Sequence, residues 1–257
     1  MVKGLYTAYT GMINQQNKMD VISNNLANAA TTGYKKEGST SQSFDTVLAY
    51  KIKDQTSAGI SRRIGTMNLG VKIGENYTDY TQGAFKTTDN TYDMAISGNG
   101  FFCVEFTNKA GETSTKYTRD GSFTLNVDGY LVTKDGDYLL DRNGKRIRLD
   151  TLSTSRVDEN GTIYQNDRAV ATIGLKDFED YNYLQHYGEN YYEPVEGARF
   201  KAADAQIFSG YLEASNVQVV SEMVDLISVT RAYESNQKVI QTIDSTLEKA
   251  VNQLGTV

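Results

Sequence analysis

The 257-residue chain is long enough for one large or two ordinary domains with a sizeable core. Its formal net charge is −6 and it carries no basic cluster, which excludes nucleic acid and an anionic membrane surface as the main partners. A single Cys excludes an internal disulfide, and no apolar run reaches the roughly 18 residues of a spanning helix, so no membrane insertion is expected.

The first residues lack the long apolar core and the cleavage-site pattern of a secretory signal peptide, so any export is expected to use another route. Residues 3 to about 29 read as an amphipathic helix. Leu5, Met12, Met19 and Leu26 recur every seven residues. Ala8, Ile22 and Ala29 flank them, with Gln15 interrupting that second line. Much of the remaining surface is Asn, Gln and Ser, which suits contact with other protein. Asn28 and Gly33 follow, and both residue types favour the left-handed conformation that caps a helix C-terminus.

Residues 37–75 are rich in Ser, Thr, Gly and Gln, with short apolar pieces at Phe44, Val47, Leu48, Tyr50 and Ile52. An extended stretch with one or two short strands is expected, of the kind that is often functional or ordered on binding. From about 69 to 183 the period changes to two. Asp120-Gly121, Asp128-Gly129, Asp135-Gly136, Asn143-Gly144 and Asn160-Gly161 punctuate short alternating runs. Asp-Gly and Asn-Gly are favoured where both central turn residues need positive φ. A meander of short antiparallel strands is expected, as a sandwich or irregular barrel. Residues 184–211 read as loop and short strand.

From Leu212 the period of seven returns: Leu212, Val219, Leu226, Tyr233, Ile240, Leu247 and Leu254 are all apolar. No Gly or Pro interrupts Glu213 to Leu254. A second line through Met223, Thr230, Gln237, Asp244 and Val251 is mixed. A helix over the whole span would be about 60 Å long at 1.5 Å per residue. It is rich in β-branched residues, which lower helix propensity. Burying the stripe would contribute roughly 10–20 kcal/mol, at about 1.5–3 kcal/mol per side chain, but only against a partner surface. The simplest partner is the N-terminal stripe of Leu5, Met12, Met19, Ile22 and Leu26.

No constellation for catalysis emerges. Asp135-Gly136-Asp137 leads into Tyr-Leu-Leu, which breaks the ligand spacing of a calcium loop. Gly98-Asn99-Gly100 opens no helix, so it is no dinucleotide fingerprint. His186 and Cys103 are the sole residues of their types, too few for a His/Cys metal site. Cys103 alternates with bulky apolar neighbours and reads as a small buried residue. The carboxylates form no recognisable pair for a hydrolase. No cofactor, metal or catalytic residue is therefore assigned.

Several blocks carry a resemblance. Ile22-Ser-Asn-Asn-Leu-Ala-Asn28-Ala-Ala-Thr-Thr-Gly-Tyr-Lys-Lys36 closely resembles the N-terminal signature of bacterial flagellar rod and hook proteins, with Asn24, Asn25, Asn28, Thr32, Gly33 and Tyr34 as motif positions. Gly4 to Met12 resembles the same signature. Tyr80-Thr-Gln-Gly83, Asp93 to Phe102 and Tyr117-Thr-Arg-Asp-Gly-Ser-Phe123 are similar to the family's central motifs. Leu212-Glu-Ala-Ser-Asn216 and Arg231-Ala-Tyr233-Glu-Ser-Asn236 are similar to its C-terminal signature.

The resemblance spans essentially the whole chain. It implies an α+β protein whose terminal helices (1–36 and 205–257) form a coiled-coil axial domain. A linker at 37–75 and an outer β-rich domain at 76–204 complete it. It implies a non-enzymatic subunit that polymerises helically with itself and with other axial proteins of the proximal rod and hook. The polymer forms a hollow shaft that transmits torque and lines an export channel. It implies export through the flagellar type III apparatus, and a place in the basal body. Length, the Arg231–Asn236 block and the 37–75 stretch resemble the distal-rod type most, with proximal-rod and hook types as alternatives. A β-domain on a coiled-coil stalk, acting as a surface adhesin or receptor module, is the reading from another class.

Overall fold

The computed structural model describes residues 2–45, 47–51, 62–109, 111–188 and 190–254. They divide into two compact units, one made of 1–27, 37–79 and 218–257, the other of 28–36 and 80–217. The chain is α+β, with a helix at each end and a β-rich middle. The expected boundaries differ from this division. Residues 28–36 and 205–217 belong with the β-rich unit, and 37–79 belongs with the helices.

In the first unit, α1 (Val2–Ala27) packs against α2 (Val219–Leu254). β1 (Glu37–Ser43) packs on α1 and pairs with β4 (Val71–Thr78). β2 (Val47–Lys51) and β3 (Arg62–Met67) form a separate antiparallel pair. The stretch expected to be mostly irregular is thus largely paired strand. Residues 52–61 of it, including Ile52, lie outside the described residues.

α2 starts at Val219, so the helix expected from Leu212 begins seven residues late. Leu212 is not a seam residue. It sits buried in a strand and pairs with Lys86. Its phase with Val219 is coincidental: a period of seven cannot report that the backbone there is extended.

The second unit opens with β5 (Phe85–Thr87), β6 (Met94–Gly98), β7 (Phe101–Thr107) and β8 (Thr113–Thr118). Three two-residue strands follow, β9 (Thr124–Leu125), β10 (Leu131–Val132) and β11 (Tyr138–Leu139). Next come β12 (Ser155–Val157), β13 (Thr162–Gln165), β14 (Arg168–Thr172) and β15 (Leu175–Phe178). β16 (Leu184–Tyr187), β17 (Tyr191–Pro194), β18 (Phe200–Lys201), β19 (Ala205–Ser209) and β20 (Tyr211–Glu213) complete it. The main sheet runs β16-β17-β8-β7-β11-β10-β9, with β15 joining β7 to β18. β12-β13-β14 form a small sheet, and β19 pairs with β6 and β20 with β5.

β7 explains the core. Its side chains alternate across the sheet. Phe102 and Val104 enter one apolar cluster with Met94, Ile96, Phe123 and Leu131. Phe101 and Cys103 enter another with Tyr117, Phe178 and Tyr192. Burial pushes the Cys103 thiol up to about 12, so it is chemically quiet.

Four of the five expected Asp-Gly and Asn-Gly pairs mark turns, but of another type than expected; Asp120-Gly121 makes no hairpin turn, and Gly121 instead lies against the Met94 carbonyl, where a Cβ would not fit. Gly129, Gly136, Gly144 and Gly161 each donate to the carbonyl three residues back, at Asn126, Thr133, Asp141 and Asp158. Only the glycine has positive φ (83°, 94°, 75° and 76°). These are three-residue hairpin loops with the glycine left-handed. The two-residue turn with both φ positive is Asn166-Asp167 (50° and 58°), between β13 and β14, where the sequence reading placed none.

Candidate functional site

Two arrangements concentrate the residues singled out by sequence. The first is the seam of the helical unit. Leu226, Tyr233, Ile240 and Leu247 are half-buried along α2. The second line of that face is Val229, Asn236, Ile243 and Ala250, all half-buried. Of the expected second line, Thr230 is half-buried, but Met223, Gln237, Asp244 and Val251 are exposed. From Leu226 a helix turn can be completed in three residues or four, and the face turned to α1 follows the step of three. Val219 is exposed at the helix start, and Leu254 ends the helix with its side chain outside the described residues.

The register on α1 is legible from close approaches. A Cβ built on Gly4 would lie 3.8 Å from Ile243 Cδ1, and one on Gly11 would lie 3.1 Å from Asn236 Nδ2. Asn25 Nδ2 donates to Glu222 Oε2 at 3.3 Å. Seven residues forward on α1 match seven backward on α2, so the helices are antiparallel. Leu5, Met12, Met19, Ile22 and Leu26 are half-buried on α1. Leu5 shares a small apolar pocket of about 300 Å³ with Tyr6, Tyr9 and Ile240.

β1 also packs on α1. Asn14 Nδ2 donates to Ser41 Oγ at 3.0 Å. Asn25 Nδ2 donates to the Glu37 carbonyl at 2.8 Å, and Glu37 N–H donates to Asn25 Oδ1 at 2.9 Å. Asn25 is buried, so a motif residue with no apolar side chain fixes where the strand begins. Asn24 and Arg231 are exposed on their helices, and Tyr233 lies in the seam.

The second arrangement is a buried polar knot inside the β-rich unit. Lys35 Nζ lies 2.6 Å from Glu213 Oε1 and donates to the Thr81 carbonyl at 2.8 Å. Arg119 Nη1 is 3.3 Å from Glu213 Oε2, and Arg119 Nη2 donates to the Gly98 carbonyl at 2.9 Å. Gly83 N–H also donates to Glu213 Oε1, at 2.9 Å. The charged side chains of Lys35, Glu213 and Arg119 are 1%, 0% and 3% exposed. Charges so far from water persist only when paired and hydrogen-bonded.

The main chain of residues 32–36 is held in the same place. Gly33 N–H donates to the Glu213 carbonyl at 2.8 Å, with φ at +70°. A Cβ there would lie 2.4 Å from the Arg119 carbonyl carbon, so only glycine fits. Thr32 Oγ1 donates to Asp120 Oδ1 at 2.7 Å, and Asn190 Nδ2 donates to the Thr32 carbonyl at 2.6 Å. Lys36 N–H donates to Asn216 Oδ1 at 2.7 Å. Tyr34 is fully buried. Gly33 is therefore a packing residue rather than the expected helix cap, whereas Asn28 follows α1 directly and its carbonyl accepts from Thr31 N–H at 3.1 Å.

Sequence reasoning singled out Thr32, Gly33, Tyr34 and Asn216; Lys35, Arg119, Asp120 and Glu213 stood in the same motif blocks without being singled out. The available signal was charge: each of these residues sits in a block made mostly of apolar and small polar residues. Among the described residues, no group of three His, Cys, Asp or Glu side chains is placed to hold a metal ion, and no helix is long and apolar enough to cross a membrane.

Three family models match these regions. Residues 5–35 match the flagella basal body rod protein model. Residues 95–165 match the flagellar hook protein FlgE/F/G D1 domain, and 209–254 match the C-terminal model of the flagellar basal body rod FlgEFG proteins. The chain is 36% identical to the flagellar basal-body rod protein FlgF of Caulobacter vibrioides, covering all of both chains. It is 34% identical to the rod protein FlgG of Bacillus subtilis over 98% of this chain and 99% of that one. It is 33% identical to the flagellar hook-basal body complex protein FlhO of Bacillus subtilis, over all of both chains. The seam residues and the charged residues Lys35, Arg119 and Glu213 of the knot lie within the stretches matched by the family models, and the chain belongs to the flagellar basal-body rod protein family, a structural subunit that assembles into the basal body with other axial components.

Proposed function

We propose that this chain is a distal-rod subunit that polymerises with copies of itself into the hollow shaft carrying torque and enclosing the export channel. The observation that carries this reading is a second apolar face on α2. Val220, Met223, Val224 and Ile227 recur at helical spacing and are 77%, 47%, 60% and 54% exposed, although the seam face of α2 is already turned to α1. An apolar stripe left in water on an amphipathic helix calls for another protein surface. In a head-to-tail array that does not close, each copy supplies that surface to the next.

In this reading the terminal helices form a coiled-coil axial core, with the seam residues Leu5, Met12, Met19, Ile22 and Leu26 packed on Leu226, Tyr233, Ile240 and Leu247. The strands after β4 form the outer meander domain, and 37–75 stiffens contacts between copies. The chain works as a structural part and not as an enzyme. It reaches the shaft through the flagellar type III export apparatus and meets the proximal rod on one side and the hook on the other. The distal assignment rests on overall length, the Arg231–Asn236 block and the 37–75 stretch. Labelling a tagged copy in isolated basal bodies tests it. Label at the hook end supports the distal position; label at the opposite end makes this a proximal-rod subunit.

A further inference from the structure

α1 carries an outward apolar stripe of its own. Gly4 and Gly11 face α2, while Tyr6, Tyr9 and Ile13 lie on the far side of α1 and are exposed. This stripe steps by three residues and then by four. The exposed stripe of α2, taken backward from Ile227 through Val224 to Val220, also steps by three and then by four. Antiparallel helices with matched steps mesh in a single register, which sets Tyr6 on Ile227, Tyr9 on Val224 and Ile13 on Val220. The apolar pocket of about 300 Å³ lined by Leu5, Tyr6, Tyr9 and Ile240 gives room for the opposing side chain.

The two stripes cannot meet within one copy. The approaches of Gly4 to Ile243 and of Gly11 to Asn236, with the Asn25–Glu222 hydrogen bond, set Val224 level with position 23 of α1. Tyr9 lies about fourteen residues from that level, roughly 21 Å at 1.5 Å per residue. The pairs Tyr6–Ile227 and Ile13–Val220 require the same displacement, so one shift of a second copy along the hairpin satisfies all three. The two stretches also differ in sign. Residues 2–19 carry Lys3 and Lys18 and no carboxylate, whereas 219–230 carry Glu222 and Asp225 and no cation. We propose that the Tyr6–Tyr9–Ile13 stripe of a second copy of this chain occupies the exposed face of α2, displaced by about 21 Å along the hairpin axis. Each copy then keeps one stripe open for the next, so the contact repeats without closing. This deepens the reading of the chain as a self-polymerising subunit and rests on it.

The test uses the full chain carrying Tyr9→Cys and Val224→Cys, mixed with an equal amount of unsubstituted chain under assembling conditions and treated with a mild oxidant. The native Cys103 is buried and does not compete. A disulfide needs Cβ atoms about 3.5–4.5 Å apart, so these two positions cannot join within one copy. A non-reducing gel should show a ladder of dimers, trimers and longer species. The ladder should be lost in the chain carrying Asn24→Cys and Val224→Cys, which pairs positions level with each other. Sedimentation reports polymer. Polymer that contains the Tyr9→Cys, Val224→Cys chain but gives no ladder overturns the proposal and leaves the assembly reading standing, and so does a ladder from the Asn24→Cys pair. Absence of polymer from the unsubstituted chain removes that reading and the proposal with it.

Discussion

Asn25 and Glu37 are joined by two hydrogen bonds, the Asn25 amide donating to the Glu37 carbonyl at 2.8 Å and accepting from the Glu37 N–H at 2.9 Å. A side-chain amide on α1 thus stands in for a neighbouring strand and pairs the first residue of β1. The same Asn25 amide donates to Glu222 on α2, so one residue ties both helices and the ribbon of the helical unit.

Asn25→Ala should destabilise this unit by about 1–3 kcal/mol, the cost of stranding partly buried polar groups. Asn25→Asp should cost more, since it removes the donor and sets a second carboxylate beside Glu222. Protease cleavage within 37–45 should rise in both variants, with Asp above Ala. Equal cleavage in variant and parent chains would show that Asn25 does not anchor the strand.

Lys35→Met should destabilise the β-rich unit by about 3–5 kcal/mol, the usual cost of removing one partner from a buried pair. Arg119 and Gly83 still face Glu213, which argues for the lower end of that range. Urea unfolding followed by hydrogen exchange within 94–104 measures it. A shift below about 1 kcal/mol, the scale of an exposed pair, would contradict the buried assignment.

Gly33→Ala and Gly136→Ala separate strain from collision. Both glycines have positive φ, at 70° and 94°. Around Gly136 nothing lies within 4 Å of an added Cβ, whereas at Gly33 the Arg119 carbonyl is 2.4 Å away. Gly136→Ala should cost about 1–2 kcal/mol, the conformational penalty alone. Gly33→Ala should cost clearly more in the same melting experiment.

Alkaline pH should unfold the β-rich unit through its buried acids. Burial raises Cys103 from 9.0 to about 12, and burial first and Cys103 second raise Tyr117 from 10.0 to about 12. Tyr181 rises from 10.0 to about 12 through burial and its hydrogen bond to Asp177. Each folded pKa lies above its unfolded value, so the stabilisation is complete below about pH 9 and lost as pH rises from 9 to 12. The melting midpoint should be flat from pH 7 to 8.5 and then fall. A thiol reagent at pH 8 should leave Cys103 unmodified until denaturant is added.

What the sequence revealed followed the range of each signal. The periods of α1 and of α2 beyond Val219 are local, and they located α1 to within about two residues at each end and α2 over its whole observed length. The same local rule carried α2 back to Leu212, because nothing in a period of seven registers that Glu213 is needed in a strand pairing with Phe85. Asp-Gly marked the turns, but the number of loop residues is set by the strands on either side, so the turn type was hidden. The knot was least legible. Lys35 and Glu213 are 178 positions apart, and only the fold brings that lysine to that carboxylate.

The central claim is that the exposed face of α2 joins one copy to the next while its seam face holds α1. The most direct measurement compares Val224→Asp with the unsubstituted chain, by circular dichroism of the monomer and by sedimentation and electron microscopy under assembling conditions. Val224 is 60% exposed, so the monomer should keep its helical signal. The account predicts full monomer helicity and no polymer. Polymers of normal length from Val224→Asp would contradict it.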